Sequence, residues 1–130
     1  MPNAGIQCPM QCAALLPMEE AIRSTIEYTR GRITFGQPVL NNQYVHFKLA
    51  ELHSEVELLR SLLYRSCAQY MATGDATCLV AMAKLKAGRL ARVVADECLQ
   101  MWGGMGYAAD SEISRHFRHL LFSTSFICTF

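Results

Sequence analysis

Three stretches of this 130-residue chain gather side chains able to do chemistry. The first, Tyr28-Thr29-Arg30-Gly31-Arg32-Ile33-Thr34-Phe35-Gly36, sets two guanidinium groups and two threonine hydroxyls beside a glycine turn. Two readings stand side by side. Arg30 and Arg32 complement the negative end of a helix dipole and satisfy its last carbonyls, or they form a planar fork for a phosphate or pyrophosphate. The second stretch, Gln100-Met101-Trp102-Gly103-Gly104-Met105-Gly106-Tyr107, is either a helix C-cap or a place where glycines let the backbone approach a ligand while Gln100 reads a polar edge. The third, Arg115-His116-Phe117-Arg118-His119, reads as a solvated helix face ahead of an anion site. His46, His53, His116 and His119 have no mutual metal-ligand spacing, and Cys8 with Cys12 lacks the second half of a zinc set. There is no GxGxxG, P-loop, GxSxG, HExxH or paired CxxC. The residues alone name neither a catalytic group nor a metal ligand.

The elements that must position these stretches are helical. Pro2, Pro9 and Pro17 each remove a backbone donor, so residues 1–17 read as irregular. A first helix is predicted just after Pro17, with Glu19 and Glu20 at its positive end and an apolar stripe through Ile22, Ile26 and Ile33, stopping near Phe35-Gly36-Gln37-Pro38. A long amphipathic helix is predicted over Asn42–Met71, its stripe running Val45, Leu49, Leu52, Val56, Leu59, Leu63, Cys67 and Tyr70, with Lys48, Glu51, Glu55, Arg60 and Arg65 on a solvated face. Thr73-Gly74-Asp75 supplies a stop and a cap for a third helix, from about Ala76 to Met101. Its inner face is expected to carry Cys78, Met82, Leu85, Val94, Cys98 and Met101, interleaved with Ala81, Ala87, Gly88, Ala91 and Ala95. After a flexible glycine exit, Asp110 or Ser111 can cap a short last helix through Ile113 and Phe117. The charge-free Leu120–Phe130 segment fits neither a clean helix nor a solvated tail. The fold class is all-α: an antiparallel bundle of three main helices plus a short fourth.

Composition narrows the partners. Hydrophobic residues make up 52% and charged residues 18%, an apolar surplus that predicts surface awaiting a second subunit or another domain. A net charge of +1 removes the global basic field that nucleic acids or anionic membranes require. No run approaches a membrane span, and the N-terminal sequence reads as neither a signal nor a transit peptide. The six cysteines, three of them within helical patterns, fit a reducing compartment.

Taken in order, these stretches resemble the C-terminal helical domain of the acyl-CoA dehydrogenase family. The resemblance rests on Tyr28, Arg32, Phe35 and Gly36; on Gln43 leading into Phe47-Lys48-Leu49-Ala50-Glu51; on Arg60; on Met82-Ala83-Lys84; on Gln100 through Tyr107; and on Arg115 and Arg118. The spacing holds from about Ile22 to Arg118, which places the family domain at residues 18–119. The resemblance implies an FAD-dependent oxidoreductase that takes hydrogen from the α and β carbons of an acyl-CoA thioester. It implies that Arg32, Thr34 and Phe35, with Asn42 and Gln43, meet the pyrophosphate region of FAD, and that Gln100, Met101, Trp102, Gly103 and Gly104 line its adenosine side. Because such contacts cross a subunit interface in the family, it also implies a homo-oligomer, or partnership with full-length subunits. Location by family is the mitochondrial matrix, with the cytoplasm as alternative.

The departures carry an expectation of their own. His119 stands where the family has aspartate after Arg118, and register puts Ile127 at one family position of the catalytic glutamate and Ile6 at the other. No carboxylate follows Glu112, and the family's coenzyme A contacts fall between Ala4 and Gln7, where neither arginine nor aspartate occurs. Residues 1–17 and 120–130 are thus expected to be non-family ends of a truncated or alternatively spliced product, inactive alone. The alternative is a non-catalytic helical module that pairs with full-length subunits. A remoter reading is an unrelated bundle using Arg32 for another phosphate ligand.

Overall fold

A computed structural model describes the backbone of residues 4–129 and the side chains of residues 13–122. The order is α1 (Ala4–Gly31), β1 (Ile33–Thr34), β2 (Gln37–Pro38), a 3-10 turn (Val39–Asn41), α2 (Gln43–Thr73), α3 (Thr77–Trp102), α4 (Gly104–Tyr107) and α5 (Glu112–Thr129). The all-α bundle is confirmed, with α3 packed against α1, α2 and α5. There are four long helices, however, and the expected flexible exit after Trp102 is the single turn α4.

Both ends depart from expectation. The first helix does not wait for Pro17; it begins at Ala4 and runs through Pro9 and Pro17, so Glu19 and Glu20 lie well inside it. Pro17 leaves the Ala13 carbonyl without its helical donor, but Ala13 is exposed, so water can take that place. Beyond Arg118, α5 continues to Thr129, with Leu120 fully buried. The side chains of Ile6, Cys8, Cys12 and Ile127 lie outside the described residues.

The α2 stripe is as expected from Val45 through Leu63, each member buried, and each such leucine removed from water contributes roughly 1.5–3 kcal/mol. It ends at Ser66 instead of Cys67 and Tyr70, because residues 68–73 are exposed all round and leave the stripe nothing to pack on. On α3 the expected face is half wrong. Val94 and Cys98 are buried, but Cys78, Met82 and Leu85 are exposed, and the buried ladder is Ala83, Ala87, Ala91 and Ala95. Side chains this small, repeating every four residues, let α3 lie close to its neighbours. That close approach decides which face turns inward. Ile33 is 68% exposed because α1 has already ended.

The stop of α2 matches the punctuation, whereas α3 starts from Ala76, which makes no side-chain cap bond, with Asp75 one residue before it. Asn42 Oδ1 accepts from the Tyr44 N–H at 3.1 Å, and Gly74, at φ 73°, closes α2 by donating to the Tyr70 carbonyl at 2.8 Å. Asp75 accepts from the Thr77 hydroxyl and N–H at 2.7 and 2.9 Å, which holds its carboxyl below the usual range. Ser111 Oγ accepts from the Ser114 N–H at the start of α5. The α2 charges do more than face water. Arg60 pairs with Glu19 on α1, while Lys48 and Glu55 pair with Glu97 and Lys86 on α3.

Candidate functional site

The exits of α1 and α3 meet at one corner of the bundle. Arg32 lies just past the end of α1 and still donates its N–H to the Tyr28 carbonyl at 2.9 Å. Its Nη1 donates to the Tyr28 hydroxyl at 2.8 Å and to the Trp102 carbonyl at 3.0 Å. The Tyr28 hydroxyl donates to the same carbonyl at 3.3 Å, and the two rings stack with centroids 4.0 Å apart, 5° from parallel. One carbonyl at the end of α3 is thus claimed by two groups from α1. Charge on the guanidinium makes its bond the stronger kind.

Beneath the corner the polar groups are satisfied inward. Trp102 Nε1 donates to Thr25 Oγ1 at 3.1 Å, and the Thr25 hydroxyl donates in turn to the Ala21 carbonyl at 2.7 Å. Thr29 repeats the pattern toward the Thr25 carbonyl. Cys98 is buried beside Thr25, and burial pushes its thiol from an ordinary 9.0 up to about 11, against the lowering effect of the Thr25 hydrogen bond. This thiol is a packing group, not a nucleophile.

Above the corner stands a two-residue hairpin turn. Thr34 pairs with Gln37, and both intervening residues have positive φ, Phe35 at 52° and Gly36 at 80°. Glycine takes that conformation freely; phenylalanine does not. Phe35 is also fully exposed, so within this chain its strained backbone is offset by no burial of its ring. The hairpin is anchored where the Val39 N–H donates to the Arg32 carbonyl at 2.9 Å.

The ten residues picked from the sequence therefore separate into groups. Arg32 and the Met101–Gly104 corner are brought together, with the Arg32 Nη1 3.5 Å from where a Cβ on Gly103 would stand. That is ordinary van der Waals distance, and it is the positive φ of Gly103, 58°, that disfavours a side chain there, whereas the space around Gly104 is open. Gln100 is exposed, Met101 half-buried against the core, and the Trp102 ring turned inward, so Trp102 offers its carbonyl and not its face. Thr34 is half-buried in the hairpin and Phe35 projects from it. Asn42 and Gln43 open α2 farther along, and Asn42 is occupied as a cap; Gln43 lines an open depression of about 550 Å³ with Tyr44, Phe47, Lys48 and Glu51. Sequence reasoning did not find the Tyr28–Trp102–Thr25 support, although the four-residue step from Tyr28 to Arg32 on a helix is a visible signal for part of it.

As a donor set the corner suits an anionic, polar ligand. An exposed guanidinium keeps Nε and Nη2 without a partner among the described residues, and a hydroxyl, exposed amides and a glycine backbone lie on the stretches that converge here. A dinucleotide diphosphate such as FAD fits that chemistry. Among the described residues, no group of three or more His, Cys, Asp and Glu could hold a metal ion, and no helix is long and apolar enough to cross a membrane.

Comparisons with known proteins bear on the family and the fold. The family model for the C-terminal domain of acyl-CoA dehydrogenase matches residues 8–126, reaching into both end segments set apart on sequence grounds. The chain is 33% identical over 100 residues to the short-chain specific acyl-CoA dehydrogenase of Megasphaera elsdenii, covering 77% of this chain and 26% of that protein. It is 31% identical over 100 residues to the human mitochondrial short-chain specific enzyme, covering 77% of this chain and 24% of that one. The solved butyryl-CoA dehydrogenase of Megasphaera elsdenii superposes with a TM-score of 0.90 at 29% identity, over 96% of this chain and 33% of that one. The chain thus spans about a quarter of the length of the curated relatives it matches. This chain therefore belongs to the acyl-CoA dehydrogenase family, a family of flavoproteins, as a C-terminal helical domain.

Proposed function

We propose that this chain is the helical part of an FAD-dependent acyl-CoA dehydrogenase and that the Arg32 corner binds the diphosphate and adenosine portion of the cofactor. The observation that carries this reading is the fixing of an exposed guanidinium against the glycine-rich end of α3, with a strained, fully exposed Phe35 above it. Arg32 and Thr34 meet the pyrophosphate; Gln100 and the backbone of Gly103 and Gly104 meet the adenosine side; Phe35, Asn42 and Gln43 complete the rim. When bound, FAD supplies the acceptor for the hydride that leaves the β carbon of the acyl thioester. The α-proton must go to a carboxylate, and isoleucine stands at both family positions for that base, Ile6 and Ile127. The described residues therefore bind and orient, and the proton transfer falls to groups outside them.

A second reading is favoured by one observation: Tyr44, Phe47, Leu58 and Tyr64 are all more than 60% exposed along α2. Exposed apolar side chains of that size suit a protein partner, either a second copy of this chain or a full-length acyl-CoA dehydrogenase subunit, with this chain as a non-catalytic assembly module. The human relative is named as mitochondrial, which supports the mitochondrion as location for this chain; the bacterial relatives keep the cytoplasm as alternative.

Titration of the purified chain with FAD, ADP and riboflavin separates the readings, with quenching of Trp102, the sole tryptophan, as the signal. Saturable binding of FAD and ADP but not of riboflavin, which lacks the phosphates, is expected. No binding of FAD, together with co-purification with a full-length subunit, supports the assembly module instead. Acyl-CoA oxidation by the pure chain contradicts the assignment of the base to other segments.

A further inference from the structure

We infer that Tyr28 is a positioning residue for Arg32, and that its hydroxyl, more than any contact of the cofactor itself, sets the guanidinium of the phosphate-binding corner. The inference rests on the reading of that corner given above and adds a residue to it.

The geometry has three parts. Tyr28 OH is the only side-chain acceptor recorded for Arg32 among the described residues, at 2.8 Å from Nη1. The same hydroxyl donates to the Trp102 carbonyl at 3.3 Å, and Nη1 reaches that carbonyl at 3.0 Å, closing a three-membered ring of hydrogen bonds. The Tyr28 ring cannot swing away, because it lies flat on the indole of Trp102, and the indole is pinned from below by Thr25. An arginine side chain is long and rotamer-rich, and immobilising it at the moment of binding weakens affinity. Here the immobilisation is done in advance by the phenol, at the shorter of the two bonds, together with the Trp102 carbonyl. Nη1 is committed to the protein, and Nε and Nη2 form the edge left for a planar, two-point contact with a diphosphate.

Tyr28→Phe removes the hydroxyl and keeps the stacked ring, so it separates positioning from packing. Two measurements on the full chain read it out. With isotope-labelled arginine, nitrogen NMR reports rotation about the Arg32 Nε–Cζ bond. Wild type is expected to give two resolved Nη signals and Tyr28→Phe one averaged signal. Titration with inorganic pyrophosphate is expected to show binding about fivefold or more weaker in Tyr28→Phe, while the Trp102 emission and the thermal midpoint stay at their wild-type values. A purely structural Tyr28 would shift the last two and leave the arginine rotation alone. If wild type binds pyrophosphate and Tyr28→Phe binds it equally, or if both give the same Nη pattern, the inference is overturned and the phosphate site stands. If wild type does not bind pyrophosphate and Arg32→Ala leaves FAD binding unchanged, the phosphate site falls and takes the inference with it.

Discussion

The corner where α1 and α3 end and the outer side of α2 follow opposite rules of construction. At the corner almost every polar atom has a partner within the chain: Arg32 and Tyr28 share the Trp102 carbonyl, Trp102 Nε1 has Thr25, and Thr25 has Ala21. Along α2, Tyr44, Phe47, Leu58 and Tyr64 are each more than 60% exposed. Buried polar networks are costly when incomplete and specify geometry when complete. Exposed apolar rows contribute nothing to the monomer and acquire value only when covered. On the function proposed above, the corner holds a shape for a small polar ligand and the exposed side chains of α2 await another surface.

Breaking the corner should have the largest effect. Trp102→Ala removes a buried ring, its stack on Tyr28 and the donor to Thr25, and a loss of about 3–5 kcal/mol is expected from such a truncation. Urea unfolding followed by circular dichroism measures it. A loss below 1 kcal/mol would mean that the two helix exits are not tied by this residue.

The next effect comes from Cys98, just below. Its thiol is held at about 11 by burial, against an ordinary 9.0. A raised folded-state value means stability is fully present below pH 9 and is lost as the pH climbs through 11. The size is on the order of 3 kcal/mol, at 1.36 kcal/mol per pH unit. Thermal unfolding of wild type and Cys98→Ala from pH 8 to 11 should show a steeper alkaline decline in wild type. Parallel curves would show that this thiol is not buried in solution.

The smallest effect on stability is expected on α2. Leu58→Glu should change the unfolding free energy by no more than about 0.5 kcal/mol and yet abolish association seen by sedimentation at high concentration. A substantial loss of stability in the monomer would mean that Leu58 is covered after all, and the contrast between the two regions would fail.

How much of this was legible in the sequence follows the same division. The α2 stripe was readable because Val45 to Leu63 repeat with the helical period and pack as written. The stop at Gly74 was readable because its chemistry is local. Three prolines hid the start of α1, since a proline's cost depends on whether the freed carbonyl reaches water, and here Ala13 is exposed. The face of α3 was misread in part: Ala87, Gly88, Ala91 and Ala95 are buried as read, but Cys78, Met82 and Leu85 had been placed with them. Backbone proximity favoured the alanine ladder and left Met82 and Leu85 outside. At the site, Arg32 and the Gly103-Gly104 pair were visible as residue types, but their meeting was not. It depends on an association across 70 residues, and one sequence carries no record of such a pairing.

The central claim, that the Arg32 corner recognises the phosphates of FAD, is tested most directly by the FAD dissociation constant of Arg32→Ala beside wild type, with thermal unfolding as control. Losing a charge-assisted contact of about 1.5–3 kcal/mol predicts affinity weaker by roughly tenfold to a hundredfold, with riboflavin unaffected and the fold intact. Equal FAD affinity in a folded Arg32→Ala chain would contradict the claim.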